Sequence, residues 1–326
     1  MRLVLVGGGG FGRYHLQAWR KHPQVSDLVV VGRNPARLAA LAAEFQVATT
    51  TELEVIASAD MVDICTPTDT HQELARLALD AGRPCVVEKP PCRSAVEAMA
   101  LAAEAGPTPL YAVMNMRFSP LWRRARQLLA EGTVGVPRLS LWPVLTDQRA
   151  LMRGDDFRAD ATRGGGALLD GAFHLAYLVP WVLGTPLRAV TAWAGQLAVT
   201  PPAGEDTGLA VWEHEHGVAQ VTYSWAVVNP PTTPAATIVG DEATLLVPRS
   251  ARQPFVLLRE RQASELDLGP LQGQPRNDLA NCLGHYFDAA MSHTEPEATW
   301  SEAIGAQQVI EATERAAGSG ARQLLQ

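Results

Sequence analysis

The sequence predicts two domains of different class: a doubly wound α/β domain with a parallel sheet over residues 1–117, and an α+β domain with a large, mainly antiparallel open sheet over residues 118–326. Three observations predict it. Short apolar runs alternate with helix-period stretches from Leu3 to Met114, which is the rhythm of a parallel sheet covered on both faces. A glycine cluster, Gly7-Gly8-Gly9-Gly10-Phe11-Gly12, joins the first run to the first helix. Beyond Arg117 the rhythm gives way to long alternating strands with helices at the ends. Length agrees, since 326 residues at roughly 150 per domain make about two domains.

Strands are expected at Leu3–Val6, Leu28–Val31, Met61–Cys65, Cys85–Val87 and Tyr111–Met114. Helices fall between them: about Leu16–Lys21, Pro35–Phe45, a stretch with Leu74, Leu77, Ala78 and Ala81 on one face, and one opening at Ser94 with Glu97 as a capping box. The second domain begins with a helix near Leu121–Ala130, a strand around Leu139–Leu145 and an apolar helix through Ala167–Leu183. Further strands are expected at Arg188–Val199, Leu209–Glu215, around Val221, Tyr223 and Trp225, and at Thr237–Val247. Helices near Asp278–Met291 and Trp300–Ala317 close the chain, the last opening on Thr299 and Glu302.

Composition narrows the function. At 47% hydrophobic the chain buries a real core, which excludes intrinsic disorder. A net charge of −7 without a basic tract argues against nucleic acid or an anionic membrane as partner. Cys65, Cys85, Cys92 and Cys282 contain no C-x-x-C pair, so they are expected as reduced thiols, with no zinc knuckle and no disulfide framework. The stretch from about 217 to 240 carries three prolines and alternating polarity, so no membrane span is expected. Leu3–Val6 runs straight into glycines without a signal peptide's apolar length, and a cytoplasmic location is expected.

Gly7, Gly9 and Gly12 satisfy G-x-G-x-x-G between a strand and a helix. Gly7 permits the tight turn, Gly9 admits a pyrophosphate to the backbone and Gly12 allows close helix packing, while the helix N–H groups face the phosphates. A nicotinamide dinucleotide is therefore expected on Gly7, Gly9, Gly10, Phe11 and Gly12. About 20 residues on, where a carboxylate normally accepts from the ribose, stands Gly32, followed by Arg33 and, one turn later, Arg37. Guanidinium groups suit a 2′-phosphate, so NADP(H) is expected to be preferred, with NAD(H) possible as a cofactor.

Two features offer proton transfer. Lys89, in Glu88-Lys89-Pro90, follows a buried strand and so sits at the carboxyl edge of the sheet, where ligands bind. Asp170 and His174, four apart on an apolar helix after Gly164-Gly165-Gly166, share one face. Taken singly, a surface lysine and a satisfied core pair are the favoured readings of these residues.

Together and in order these motifs resemble the glucose–fructose oxidoreductase / inositol dehydrogenase / rhizopine catabolism (Gfo/Idh/MocA) family of NAD(P)-dependent oxidoreductases. The resemblance runs along nearly the whole chain: the glycine loop with His15, Ile64-Cys65-Thr66-Pro67 before His71, Val87-Glu88-Lys89-Pro90, Asn115-Met116-Arg117-Phe118, the D-x-x-x-H helix, and Glu205-Asp206 before a strand. It implies a Rossmann domain, and a C-terminal α+β domain whose open sheet mediates homodimers or homotetramers. It also implies a substrate held between the nicotinamide and the second domain. Thr66, Pro67, His71, Glu88 and Lys89 join the cofactor set by that resemblance. Lys89 would orient the reacting oxygen and help move its proton, His174 would be the principal general acid/base, and Asp170 would contact substrate hydroxyls or tune the other two. The expected reaction is hydride transfer between nicotinamide and a carbinol or carbonyl carbon of a sugar, inositol or related polyhydroxylated molecule. The alternatives are an imine or other C=X reductase on the same scaffold, and a non-catalytic NADP(H)-sensing regulatory protein.

Asn115, Arg117 and Arg158 are further substrate-pocket candidates, while Arg158, Asp160 and Arg163 read at least as well as solvated loop charges. Trp142, Trp193, Trp212 and Trp225 fall on expected strands and read as core or subunit interface rather than sugar-stacking platforms. Strand-borne Tyr223 and Trp225 suggest a sheet face covered by a partner subunit. His214 and His216 alternate with carboxylates, but read as an exposed hairpin rather than a metal site. Gly171, inside a helix, is expected to make room for cofactor or substrate.

Overall fold

The computed structural model describes residues 1–150, 152, 157–198, 204–272 and 277–325. It divides into two compact units, Met1–Asn115 with Asn277–Ile304, and Met116–Arg276 with Gly305–Gln326.

The first unit holds β1 (Arg2–Val6), α1 (Gly10–Trp19), β2 (Asp27–Val31), α2 (Pro35–Phe45), β3 (Ala48–Thr50), β4 (Met61–Ile64), α3 (His71–Asp80), β5 (Cys85–Val87), α4 (Ala95–Ala105) and β6 (Leu110–Ala112). Its six strands are all parallel, in the order β3-β2-β1-β4-β5-β6. The chain winds from β1 out to β3 and returns to β4, so the order reverses between β1 and β4, where a doubly wound sheet binds its ligands. Leu3, Leu5, Val30, Val62, Ile64 and Val86 are buried, as strands covered on both faces require. The expected elements are present. Strand β3 was not foreseen: it is three residues at a sheet edge, held by pairing with Val29, Val30 and Val31 rather than by a buried apolar run. The Ser94 box is real, with Ser94 Oγ accepting from Glu97 N at 3.2 Å; Glu97 returns to Arg93 N at 3.1 Å.

The stretch 277–304 packs with this first unit rather than with 118–276, which departs from the contiguous second domain expected from sequence. The cause is an apolar stripe on α7 (Asp278–Ser292). Phe287 lies 6.0 Å from the Trp19 ring and 4.7 Å from His22, and Tyr286 stacks on Tyr111 at 4.8 Å while donating to Ala112 O at 2.8 Å. The following helix, α8 (Trp300–Ser319), opens on a reciprocal box in which Thr299 N donates to Glu302 and Glu302 N donates back to Thr299.

The second unit holds α5 (Pro120–Ala130), β7 (Pro137–Leu145), a π turn (Ala167–Ala172) running into α6 (Phe173–Leu183), then β8 (Leu187–Gly195), β9 (Thr207–His214), β10 (Gly217–Ser224), β11 (Ala236–Gly240), β12 (Thr244–Val247), β13 (Phe255–Arg259), β14 (Gln262–Leu266) and the C-terminal β15 (Gln323–Leu324). They form a nine-stranded sheet, β14-β13-β12-β11-β7-β10-β9-β8-β15, antiparallel except for the β7–β10 pair. Thr237–Val247 is a hairpin, not one strand, because the Gly240-to-Ala243 turn closes with a 2.9 Å bond. The β13–β14 hairpin had no signal. Its turn uses left-handed Glu260 and Arg261 instead of glycine, and β14 is mostly exposed. The expected end of the β8 strand, Val199, lies outside the described residues.

Side chains alternate across this sheet. Ala210, Trp212, Ala219, Val221 and Tyr223 are buried, whereas Leu209 (42% exposed), Val211 (40%) and Trp193 (46%) face outward and leave an apolar surface open. Tyr223 and Trp225 are therefore core residues, correcting their expected place on a partner-covered face. Trp142 and Trp212 are buried as well. Gly171 makes room for protein: a Cβ there would run into the Tyr223 ring. His216 is exposed at the β9–β10 turn but His214 is tucked in, and burial lowers its proton affinity.

Candidate active site

In the first unit the glycine loop leaves β1 and enters α1. Gly7 has φ +126°, and a Cβ there would strike Cys65 O, while at Gly12 it would strike Gly7 O. Gly9 has nothing within 4 Å of a Cβ, and it caps α1 without any side-chain acceptor or first-turn acid. Backbone N–H groups at an open helix start suit a pyrophosphate. At the end of β2, Asn34 is spent on capping α2, accepting from Arg37 N at 3.0 Å, while Arg33 and Arg37 are exposed. No carboxylate stands between Gly32 and Arg37. These residues fit a nicotinamide dinucleotide.

Past β4, Thr66 Oγ1 accepts from Thr70 Oγ1 at 2.8 Å. His71 is buried, with Nδ1 2.8 Å from Pro90 O and Nε2 2.8 Å from Thr66 O. Burial holds its proton affinity below the usual histidine range. His71 thus braces the loops after β4 and β5 and is not aimed at a ligand. Lys89 is half-buried directly after β5, at the same carboxyl edge as the glycine loop. Glu88, buried, accepts from Lys89 N through Oε2 at 2.9 Å and lies 3.1 Å from His15 Nε2 through Oε1. Asn115, half-buried, ends this unit's first segment.

In the second unit the glycine-rich helix does not run on as a single α-helix. Ala167–Ala172 is a π turn, a wider winding that recurs at functional sites, and α6 starts at Phe173. Its start is anchored by Glu205, which accepts from Leu168 N through Oε1 at 2.7 Å and from Ala167 N through its carbonyl at 3.0 Å. Burial pushes the Glu205 carboxyl up, against the pull of the Leu168 N–H. Asp206, fully buried, accepts from Leu197 N and Ala198 N, each at 3.0 Å. The Glu205-Asp206 pair is thus a structural clamp.

Asp170 is buried in the π turn and accepts from Arg158 Nε at 3.2 Å; the Arg158 guanidinium lies 4.5 Å over the Phe157 ring. His174, half-buried, places Nδ1 2.9 Å from the Tyr177 hydroxyl, which accepts from Met116 N at 3.3 Å. Arg117 is buried with its guanidinium 5.2 Å over Trp181. Sequence reasoning missed Tyr177, although its signal was available: three residues beyond His174 on the same helix face. All four cysteines are free and buried. Among the described residues no group of three or more side chains could hold a metal, and no helix is long and apolar enough to cross a membrane.

Two family models match this chain. One, an oxidoreductase family with an NAD-binding Rossmann fold, covers residues 1–113; the other, the GFO/IDH/MocA C-terminal domain, covers 122–246. A D-apiose dehydrogenase of Paraburkholderia graminis is 28% identical over 230 residues, 67% of this chain and 58% of its own length. An inositol 2-dehydrogenase of Rhizobium meliloti is 28% identical over 60% of this chain and 59% of its own length. The chain thus spans less than two thirds of these relatives. In solved structures, a levoglucosan dehydrogenase in complex with NADH and levoglucosan superposes with TM-score 0.87 at 19% identity, covering 99% of each chain. An oxidoreductase domain protein from Kribbella flavida gives 0.86 at 22%, covering 99% of this chain and 98% of its own. With the family's NAD-binding Rossmann model over residues 1–113 and its C-terminal domain model over 122–246, the chain belongs to the GFO/IDH/MocA family of oxidoreductases.

Proposed function

We propose that this chain is an NADP(H)-preferring dehydrogenase that moves hydride between nicotinamide and a carbinol or carbonyl carbon of a sugar, inositol or similar polyhydroxylated molecule, with Lys89 and His174 in proton transfer. One observation carries the reading: the open cradle at Gly9 and the Lys89 side chain both leave the carboxyl edge of one parallel sheet, after β1 and β5, on either side of β4. A dinucleotide would be held by its pyrophosphate at the start of α1, with Lys89 at the same edge of the sheet. The named activities of the relatives, on apiose and inositol, support a polyol substrate.

Bound nicotinamide supplies hydride acceptance or donation. The chain supplies the proton chemistry. In the oxidative direction the carbinol gives up hydride from carbon and a proton from oxygen, and the product is the carbonyl. The Lys89 ammonium donates to the reacting oxygen and stabilises its developing negative charge. By the family resemblance His174 would take the proton; its ring meets the Tyr177 hydroxyl. Asp170 and Arg158 present an acceptor and donors for neighbouring hydroxyls. Carbonyl reduction uses the same groups in reverse. Arg33 and Arg37, with no carboxylate beside them, support the choice of NADP(H).

The outward apolar face of the nine-stranded sheet, with Trp193, Leu209 and Val211, supports a homodimer. A second copy of the same sheet is its occupant, and light scattering should give twice the chain mass; a concentration-independent monomer would contradict it. The activity is tested by mixing the protein with NADP⁺ and a panel of sugars and inositols. Substrate-dependent reduction in the wild type, absent in Lys89→Met, is expected. Tight cofactor binding with no turnover on any polyol or carbonyl compound would favour a sensing protein instead.

A further inference from the structure

We propose that His15 is a positioning residue: as an imidazolium between Asp63 and Glu88 it fixes the Glu88 carboxylate, which in turn grips the backbone N–H of Lys89. The proposal rests on the reading of Lys89 as a proton-transfer group. All of the residues lie within the first unit.

The geometry leaves few choices. His15 is fully buried, and each ring nitrogen faces a carboxylate: Nδ1 is 2.8 Å from Asp63 Oδ2, and Nε2 is 3.1 Å from Glu88 Oε1. A neutral imidazole has one N–H, so it would turn a bare lone pair toward one of two buried acids. An imidazolium donates to both. Asp63 stands in the middle of an apolar strand and uses Oδ2 for both His15 and Trp19, while its buried Oδ1 has no hydrogen-bond partner. A buried carboxylate so poorly satisfied needs an adjacent cation.

The groups facing His15 are Asp63 on β4, Cys65 just beyond it, Glu88 after β5 and Cys282 on α7. Burial alone lowers the imidazole's proton affinity. Asp63, aided by Cys65, outweighs that and holds it well above the usual histidine range.

His15 therefore ties three elements at the point where the strand order reverses. Helix α1 carries the phosphate cradle at its first turn, β4 carries Asp63, and β5 delivers Glu88 and Lys89. Glu88 is the link. One oxygen takes the imidazolium N–H and the other takes Lys89 N at 2.9 Å, so a charge-assisted bond holds the root of the lysine.

The test has two arms. In the full-length protein labelled with ¹⁵N-histidine, with His15→Gln used to assign the resonance, both His15 ring nitrogens should be protonated at neutral pH and should not titrate near the ordinary 6.5. A neutral tautomer, or titration at the ordinary value, overturns the proposal. The second arm is Glu88→Gln, near-isosteric, whose amide retains one acceptor but turns an NH₂ toward either the imidazolium or Lys89 N. Its kcat should fall by about tenfold or more, while KM for the polyol substrate stays within about threefold. An unchanged kcat in Glu88→Gln, beside a dead Lys89→Met, overturns the positioning role and leaves the reading of Lys89 standing. Turnover retained in Lys89→Met overturns that reading, and the positioning role with it.

Discussion

Around Lys89 the first unit has a charged interior, with His15, Asp63 and Glu88 all buried within an apolar parallel sheet. Around His174 the second unit relies instead on a neutral hydroxyl, Tyr177, one turn along the same helix, and on an Asp170–Arg158 pair that keeps partial contact with solvent. The contrast teaches what each side chain must do. A lysine on a loop has no helix to orient it, so its backbone is pinned by charges whose desolvation makes them intolerant of change. A histidine on a helix already has its direction set, and the Tyr177 hydroxyl meets its ring.

The comparison breaks most visibly at the two proton-transfer groups. Lys89→Met should lower turnover on the order of a thousandfold, about 4 kcal/mol of transition-state stabilisation, while cofactor affinity changes by a few-fold at most. Stopped-flow turnover and a fluorescence titration check the two halves.

Next comes the buried charge cluster. Asp63→Asn should cost about 3 kcal/mol of stability in urea unfolding, since it strips one carboxylate from a buried imidazolium. The pH dependence has a definite sign. His15 is raised above its unfolded value of 6.5, so its stabilisation is fully present below that pH and is lost as pH rises through the raised folded value. Wild type should therefore lose stability on the alkaline side, and Asp63→Asn should lose less there; parallel curves would contradict the account.

The smallest effect belongs to the second unit. Tyr177→Phe should lower kcat by about tenfold or less, near 1 kcal/mol, because the hydroxyl it removes makes neutral hydrogen bonds, with the His174 ring and from Met116 N, and no charge is stripped from a buried partner. A loss as large as that of Lys89→Met would erase the distinction between the units.

Much of this was legible in the residues. Continuous apolar runs such as Leu3–Val6, alternating with helix-period stretches, read as buried parallel strands, and the glycine spacing named its own turn. Asp170 and His174 were expected on one α-helical face, but a π turn runs through Asp170, which accepts from Arg158, while His174 on the following α-helix meets Tyr177. The His15 network could not be read that way: its contacts join residues 48 and 73 positions apart, and only the strand order brings them together. Asp63 in an apolar strand was the available clue. Tyr223 was misplaced because alternation identifies two faces without saying which is buried, and the answer depended on Gly171 from a distant helix. The β13–β14 hairpin was invisible because neither its turn nor its second strand carries an apolar or glycine signal.

The most direct test of the central claim, that this is a dinucleotide-dependent oxidoreductase with its cofactor choice set by Arg33, is a fluorescence titration of the purified protein with NADPH and separately with NADH. The account predicts NADPH binding at least about tenfold tighter, roughly 1.4 kcal/mol, with the difference abolished in Arg33→Ala. Equal or tighter NADH binding would contradict the cofactor choice, and binding of neither would contradict the claim itself.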